Sequence, residues 1–182
     1  VHGPEVAEAA RLARRAAESA AAWPQGRPLY AATAELPWPD EPHLQLFHAQ
    51  TLLREFRGDG HVATLLHAGL TGLEAMILQV AAGGADQRFL RVTRGWSRDQ
   101  WAAAVDGLRA RELVEGDPPA LTAAGRELLD SVEADTDRLT EPAYRVLGED
   151  GLVRLAELTR PMSRTVVKAG LLDPAMIVNP RP

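Results

Sequence analysis

The feature that most restricts this chain is a closely spaced series of helix starts and stops between Thr71 and Gly125. Thr71 is followed three residues later by Glu74, and Ser97 by Gln100, so each pair can form a reciprocal cap at a helix N-terminus. Gly83-Gly84 closes the first of these helices. The segment Asp86 to Arg94 is long enough for one short helix, and Gly95 separates it from the next. Apolar residues recur at helical spacing inside each piece: Leu73, Met76, Ile77 and Val80, then Phe89, Leu90 and Val92, then Trp101, Val105 and Leu108. Leu113-Val114 and Ala120-Leu121 then flank the polar turn Glu115-Gly116-Asp117-Pro118-Pro119, the pattern of a short hairpin. Thr122 starts a long helix with Leu128, Leu129, Val132 and Leu139 on one face. Three small helices, a two-stranded ribbon and a long helix satisfy this spacing.

The flanks are helical too. Pro4 to Trp23 is an alanine-rich helix whose Glu8–Arg11 and Arg14–Glu18 pairs are spaced to interact along one face. Its few large apolar residues leave two readings open: close packing on another subunit, or a solvated surface helix. Pro24 to Pro42 carries five prolines and is expected to be irregular, anchored by Tyr30, Leu36 and Trp38. His43 to Arg57 reads as a helix with Leu44, Phe47, His48, Thr51, Leu52 and Phe56 on its buried face. Gly58-Asp59-Gly60 is expected to break it, and His61 to Ala68 to resume it. Helices near Glu149 to Thr159 and Met162 to Ala169 are expected to be separated by Pro161. Residues 1–70 therefore read as a helical extension with a proline-rich strap, 71–139 as the central unit and 140–182 as C-terminal helices, within one compact domain.

Composition narrows the chemistry. The chain is 46% hydrophobic and 25% charged, with a net charge of −5 and no cysteine. It can bury a real core, and disulfides, thiolate catalysis and cysteine-based zinc sites are excluded. No run is long and apolar enough to span a bilayer, and no leader peptide is visible. A cytoplasmic protein without membrane partners is expected. The chain begins at Val1 and not at a methionine, so a fragment or a processed product is expected. In an acidic chain, any nucleic-acid surface must be a local one.

The order helix, short helix, turn, helix, two short strands, long helix is the arrangement of a winged helix-turn-helix, and the expected fold class is mostly α with a short wing and flanking dimerisation-type helices. Leu108-Arg109-Ala110-Arg111-Glu112-Leu113-Val114 and Leu121-Thr122-Ala123-Ala124-Gly125-Arg126 resemble the MarR-type pattern around the recognition helix and wing. Gly26-Arg27-Pro28-Leu29-Tyr30, Leu36-Pro37-Trp38-Pro39, Leu53-Arg54-Glu55-Phe56-Arg57-Gly58-Asp59-Gly60-His61 and Arg94-Gly95-Trp96-Ser97 resemble the uncharacterised actinobacterial SalK-like helix-turn-helix family over nearly the whole chain. The resemblance implies a dimeric, ligand-responsive DNA-binding regulator, from a family whose members are usually longer. Glu112 stands where the MarR pattern has a glycine, so the recognition helix is expected to end differently from a left-handed cap.

Six arginines and three aspartates fall between Asp86 and Arg111, a local excess of +3. Arg88, Arg91, Arg94 and Arg98, with Ser97, are the candidate contacts to double-stranded DNA. Internal ion pairs or a solvated face remain the other reading of these arginines. Against DNA stand Glu112, Glu115 and Asp117, and a recognition face of Ala102, Ala103, Asp106 and Ala110. Arg54, Arg57, Asp59 and His61 form a second candidate site, for an anionic small molecule, beside the plainer reading of a helix end with local ion pairs. The alternative function is thus a winged helix that does not bind DNA, acting as a small-molecule-binding or protein-interaction component of secondary metabolism. His43, His48, His61 and His67 lack chelating i, i+4 spacing, and His48 is expected as a hydrogen-bonded core residue. No nucleophile motif, phosphate loop or dinucleotide fingerprint is present. No metal, cofactor or catalytic residue is expected.

Overall fold

A computed structural model describes residues 3–170, which are mostly helical and fall into two compact units. The first comprises residues 3–63 and 135–169, and the second residues 64–134. The segment of the C-terminal region beyond residue 170 lies outside the described residues. Among the described residues, no single helix is long and apolar enough to cross a membrane.

The first unit begins with α1 (Pro4–Ser19), extended by a 3-10 turn at Ala20–Ala22. Pro4 sits at the N-terminus of α1, where the missing N–H costs nothing. Ala9, Ala13, Ala16, Ala17 and Ala20 are fully buried, so the small-residue face is spent inside this unit, packed on α8 (Gly148–Lys168). Arg14 pairs with Glu18 as its spacing predicts, but Glu8 binds Arg154 of α8 through both carboxylate oxygens, at 2.7 and 2.9 Å, in place of Arg11.

The proline-rich strap is not wholly irregular. Pro28 opens a short helix, α2 (Pro28–Ala34), again from the first-turn position that proline favours. Tyr30 and Trp38 do anchor the strap, whereas Leu36 is exposed.

The larger departure is α3 (Pro42–His67), a single helix of 26 residues that runs through Gly58-Asp59-Gly60 without a break. Burial explains why. Arg27 is only 7% exposed and stacks over Phe56, 3.7 Å from the ring centroid. Its guanidinium donates to the carbonyls of Trp23, Phe56 and Leu139 at 3.0, 2.8 and 2.8 Å. Gly60 provides the space this requires, because a β-carbon there would lie 2.9 Å from Arg27 Nη1. Asp59 accepts a hydrogen bond from the Tyr30 N–H at 2.9 Å, capping α2 from outside. Gly60 and Asp59 thus serve tertiary contacts, and the helical hydrogen bonds continue beneath them. Within it Leu46, Ala49, Leu52, Leu53 and Phe56 are buried, whereas Leu44 and Phe47, expected on that face, are exposed.

Pro161 likewise lies inside α8. The carbonyl it leaves without an intrahelical donor belongs to Glu157, an exposed residue that water can reach.

The second unit holds the last turn of α3, then α4 (Gly72–Ala81), α5 (Gln87–Thr93), α6 (Arg98–Ala110), β1 (Val114–Glu115) and β2 (Ala120–Leu121), and the first half of α7 (Ala123–Tyr144). The strands pair antiparallel, Val114 opposite Leu121 and Glu115 opposite Ala120. Both capping boxes form: Glu74 N–H to Thr71 Oγ1 and Gln100 N–H to Ser97 Oγ, each with the reciprocal bond. Asp86 caps α5 through the Phe89 N–H at 2.6 Å. Leu73, Ile77, Leu78, Trp101, Val105, Leu108, Leu129 and Val132 form the core, with Trp96 packed against it.

The end of α6 corrects the expectation for Glu112. Its φ is +57°, so the helix does end in a left-handed residue although it is not glycine. Leu113 N–H reaches Leu108 O at 3.0 Å and Glu112 N–H reaches Arg109 O at 2.9 Å, the two bonds of a Schellman cap. Thr122 Oγ1 donates to the Glu112 carbonyl at 2.6 Å and so holds the strained peptide.

Candidate nucleic-acid interface and ligand cavity

Arg88 and Arg91 lie on α5, Arg94 is its C-cap, Ser97 is the N-cap of α6 and Arg98 its first residue. The short α5 and the tight turn through Gly95 place them together at the entrance to α6. Arg88, Arg94 and Arg98 are exposed and Arg91 is partly so. No hydrogen bond or ion pair within the described residues engages any of the four guanidinium groups. Of the two readings kept open, internal ion pairing is therefore not what occupies them. Ser97 is different: its hydroxyl is taken by the Gln100 N–H.

The remaining arginines of this stretch are occupied. Arg109 binds Asp106 and donates to the Gly116 carbonyl at 2.7 Å, which ties the hairpin turn to α6. Arg111 binds Glu74 and the Gly69 carbonyl. Burial by itself would raise the Glu74 pKa, but hydrogen bonds from the Thr71 backbone and hydroxyl, and the Arg111 charge, outweigh it and hold the carboxyl below its ordinary value. The accessible charge is thus the stripe at 88, 91, 94 and 98. Across the outward face of α6, Ala102, Ala103, Asp106 and Ala110 are exposed, and Glu115 and Asp117 stand exposed on the hairpin.

The second candidate site lies wholly in the first unit. Arg54, Arg57 and His61 line a cavity of about 530 Å³, together with Gln50, Leu53, Glu55 and Gly58 of α3, Ala13 of α1, Tyr144 at the end of α7, and Leu155 and Thr159 of α8. Because α3 is unbroken, residues 50, 53, 54, 57, 58 and 61 recur at three- and four-residue steps along one face. Asp59 is not on that face. It is 5% exposed and committed to the Tyr30 N–H.

Arg54 is paired with Glu55, and Arg57 with Asp137 at 3.3 Å. His61 Nδ1 lies 3.0 Å from Thr136 Oγ1. Burial raises the Tyr144 pKa, and the nearby Arg57 charge only partly offsets this, so the phenol is protonated at neutral pH. Tyr144, Thr159 and Leu155 were invisible from sequence as site residues. They lie some 80 to 110 positions from the α3 residues of the lining, and no local pattern links them to it.

Among the described residues, no group of three His, Asp or Glu side chains is placed to hold a metal ion. His48 is buried, as expected, with its ring edge-on to Trp38 at 4.6 Å. Its Nε2, however, has no hydrogen-bond partner among the described residues, contrary to the expectation for a core histidine.

No curated protein and no solved structure matches this chain. Residues 1–173, nearly the whole chain, match the helix-turn-helix family. With two N-capped helices, α5 and α6, meeting at the turn through Gly95, the chain belongs to the helix-turn-helix family.

Proposed function

We propose that this protein is a winged-helix DNA-binding transcriptional regulator, MarR-like in its second unit and SalK-like over its length. The observation that carries the reading is the stripe of Arg88, Arg91, Arg94 and Arg98, four guanidinium groups without acidic partners among the described residues, at the entrance to α6. In a helix-turn-helix protein this position lies beside the phosphate backbone when the second helix enters the major groove. The hairpin β1–β2 serves as the wing. Phosphate contact supplies affinity and register, while the short side chains of α6 read few base edges. A homodimer is the assembly that presents two such helices to a pseudo-palindromic site.

The test is retention of duplex DNA across a salt series. Each phosphate neutralised contributes about −0.9 to the slope of log affinity against log salt. Replacing Arg91 and Arg94 with alanine is expected to weaken binding to all duplexes and to flatten that slope by about two. Absence of binding at low salt overturns the reading.

One observation favours a second reading, a helix-turn-helix unit that does not engage DNA. The outward face of α6 and the wing turn expose Asp106, Glu115 and Asp117, which oppose a polyanion. Under it, the arginine substitutions leave every function of the protein unchanged.

A further inference from the structure

We propose that the cavity of the first unit binds a small organic monoanion with an apolar body. This goes beyond DNA binding and stands without it, because every lining residue belongs to residues 3–63 or 135–169. The cavity volume of about 530 Å³ lies within the range of small-molecule sites.

The lining divides into two kinds of surface. Ala13, Leu53, Leu155 and the Tyr144 ring supply an apolar wall. Arg54, Arg57, Gln50 and the Tyr144 hydroxyl supply donors. Among the described residues, Glu55 is the one carboxylate in the lining, and Arg54 engages it. Asp137, one partner of Arg57, is three-quarters exposed and does not line the cavity, so water screens its charge. The Tyr144 hydroxyl makes no hydrogen bond within the described residues. A partly buried phenol with an unused donor, beside the Arg57 guanidinium, suits an acceptor that carries negative charge.

Two alternatives fit less well. Inorganic phosphate would leave the apolar wall unfilled. A neutral apolar molecule would set the Tyr144 hydroxyl against carbon.

The experiment uses anilinonaphthalene sulfonate fluorescence on the whole chain, with naphthoate and its uncharged amide as competitors. One saturable site is expected, displaced by naphthoate and at least about tenfold less well by naphthamide, the cost of one charge-assisted hydrogen bond. Arg57→Met is expected to weaken the dye and naphthoate by about tenfold or more. Gln50→Trp, at an exposed position whose indole would fill the cavity, is expected to abolish binding while thermal unfolding is preserved. Non-saturable dye binding, equal displacement by acid and amide, or unchanged binding in Gln50→Trp each overturns the proposal. Should Arg57→Met not fold, the competitor pair and Gln50→Trp decide the question. DNA retention, measured on the same preparations, is a separate readout.

Discussion

Arg27 Nη1 lies 2.9 Å from the point a β-carbon would occupy on Gly60, 33 residues further along the chain. This near-contact gives two glycines of one helix opposite roles. At Gly60, alanine must displace a guanidinium that is held by three carbonyls and a phenyl ring. At Gly58, the new β-carbon meets only a Glu55 oxygen at 4.0 Å. Alanine is favoured over glycine inside a helix by about 1 kcal/mol. Gly58→Ala is therefore expected to stabilise the protein by about 0.5–1 kcal/mol. Gly60→Ala is expected to destabilise it by about 1–2 kcal/mol net, as overpacking exceeds the gain in propensity. Urea midpoints of the two variants, measured side by side, check the sign.

Gly125 is tighter still. A β-carbon there would stand 1.9 Å from the Leu113 carbonyl oxygen, in a position where neither backbone can yield easily. That same carbonyl accepts the Thr122 N–H at 3.2 Å. Gly125→Ala is expected to cost more than about 3 kcal/mol, well above an ordinary substitution. Loss of the near-ultraviolet signal of Trp96 and Trp101, both packed in this core, reports it.

Glu112 offers a gain. A left-handed conformation costs a non-glycine residue about 1–2 kcal/mol, and glycine removes that strain at some cost in unfolded-chain entropy. Glu112→Gly is expected to raise stability by about 0.5–1 kcal/mol, or a few degrees in melting temperature. An unchanged or lower melting temperature contradicts the strain assigned to this cap.

Glu74 ties acid sensitivity to the first cap of the second unit. Its pKa is lowered from an ordinary value near 4.5 in the folded state. A depressed folded value means the stabilisation is complete above about 4.5 and disappears as pH falls through the folded pKa. Glu74→Gln keeps a capping oxygen but loses the Arg111 ion pair, a change of about 1 kcal/mol or less. Thermal melts of the variant are expected to lie below those of the parent at pH 7. The two are expected to converge as pH falls through the lowered Glu74 pKa.

Where a conformation depends on neighbours in the chain, the amino-acid order revealed it. Thr71 with Glu74, and Ser97 with Gln100, cap because the hydroxyl and the N–H it serves are three residues apart. The strands at Val114 and Leu121 followed from the turn between them. Where a conformation depends on a distant partner, local rules misled. Gly58 and Gly60 resembled a helix break because Arg27 and Leu139, which explain Gly60, lie far off in the chain. The same misplaced break hid the single face joining Arg54, Arg57 and His61, and it left Asp59 grouped with residues from which its side chain is turned away. Pro28 was taken for an interruption when it is a start, since Asp59, which accepts the Tyr30 N–H in the first turn of α2, lies far off in the chain. The arginine stripe was legible as a spacing, but whether acids neutralised it was not, because Glu74 and Asp106 choose Arg111 and Arg109 in three dimensions.

The first unit is assembled from two stretches that synthesis makes at different times. Its Arg27–Leu139 and Glu8–Arg154 bonds join positions 112 and 146 residues apart. The residues of the second core, from Leu65 to Val132, leave the ribosome as one uninterrupted run. The helix-turn-helix core can therefore close first, while α1 waits with its alanine face uncovered until α8 arrives. During that interval the apolar surface of Val6 and Leu12 is open to chaperones, and a ribosome stalled after residue 134 would leave a nascent chain half folded and half sticky.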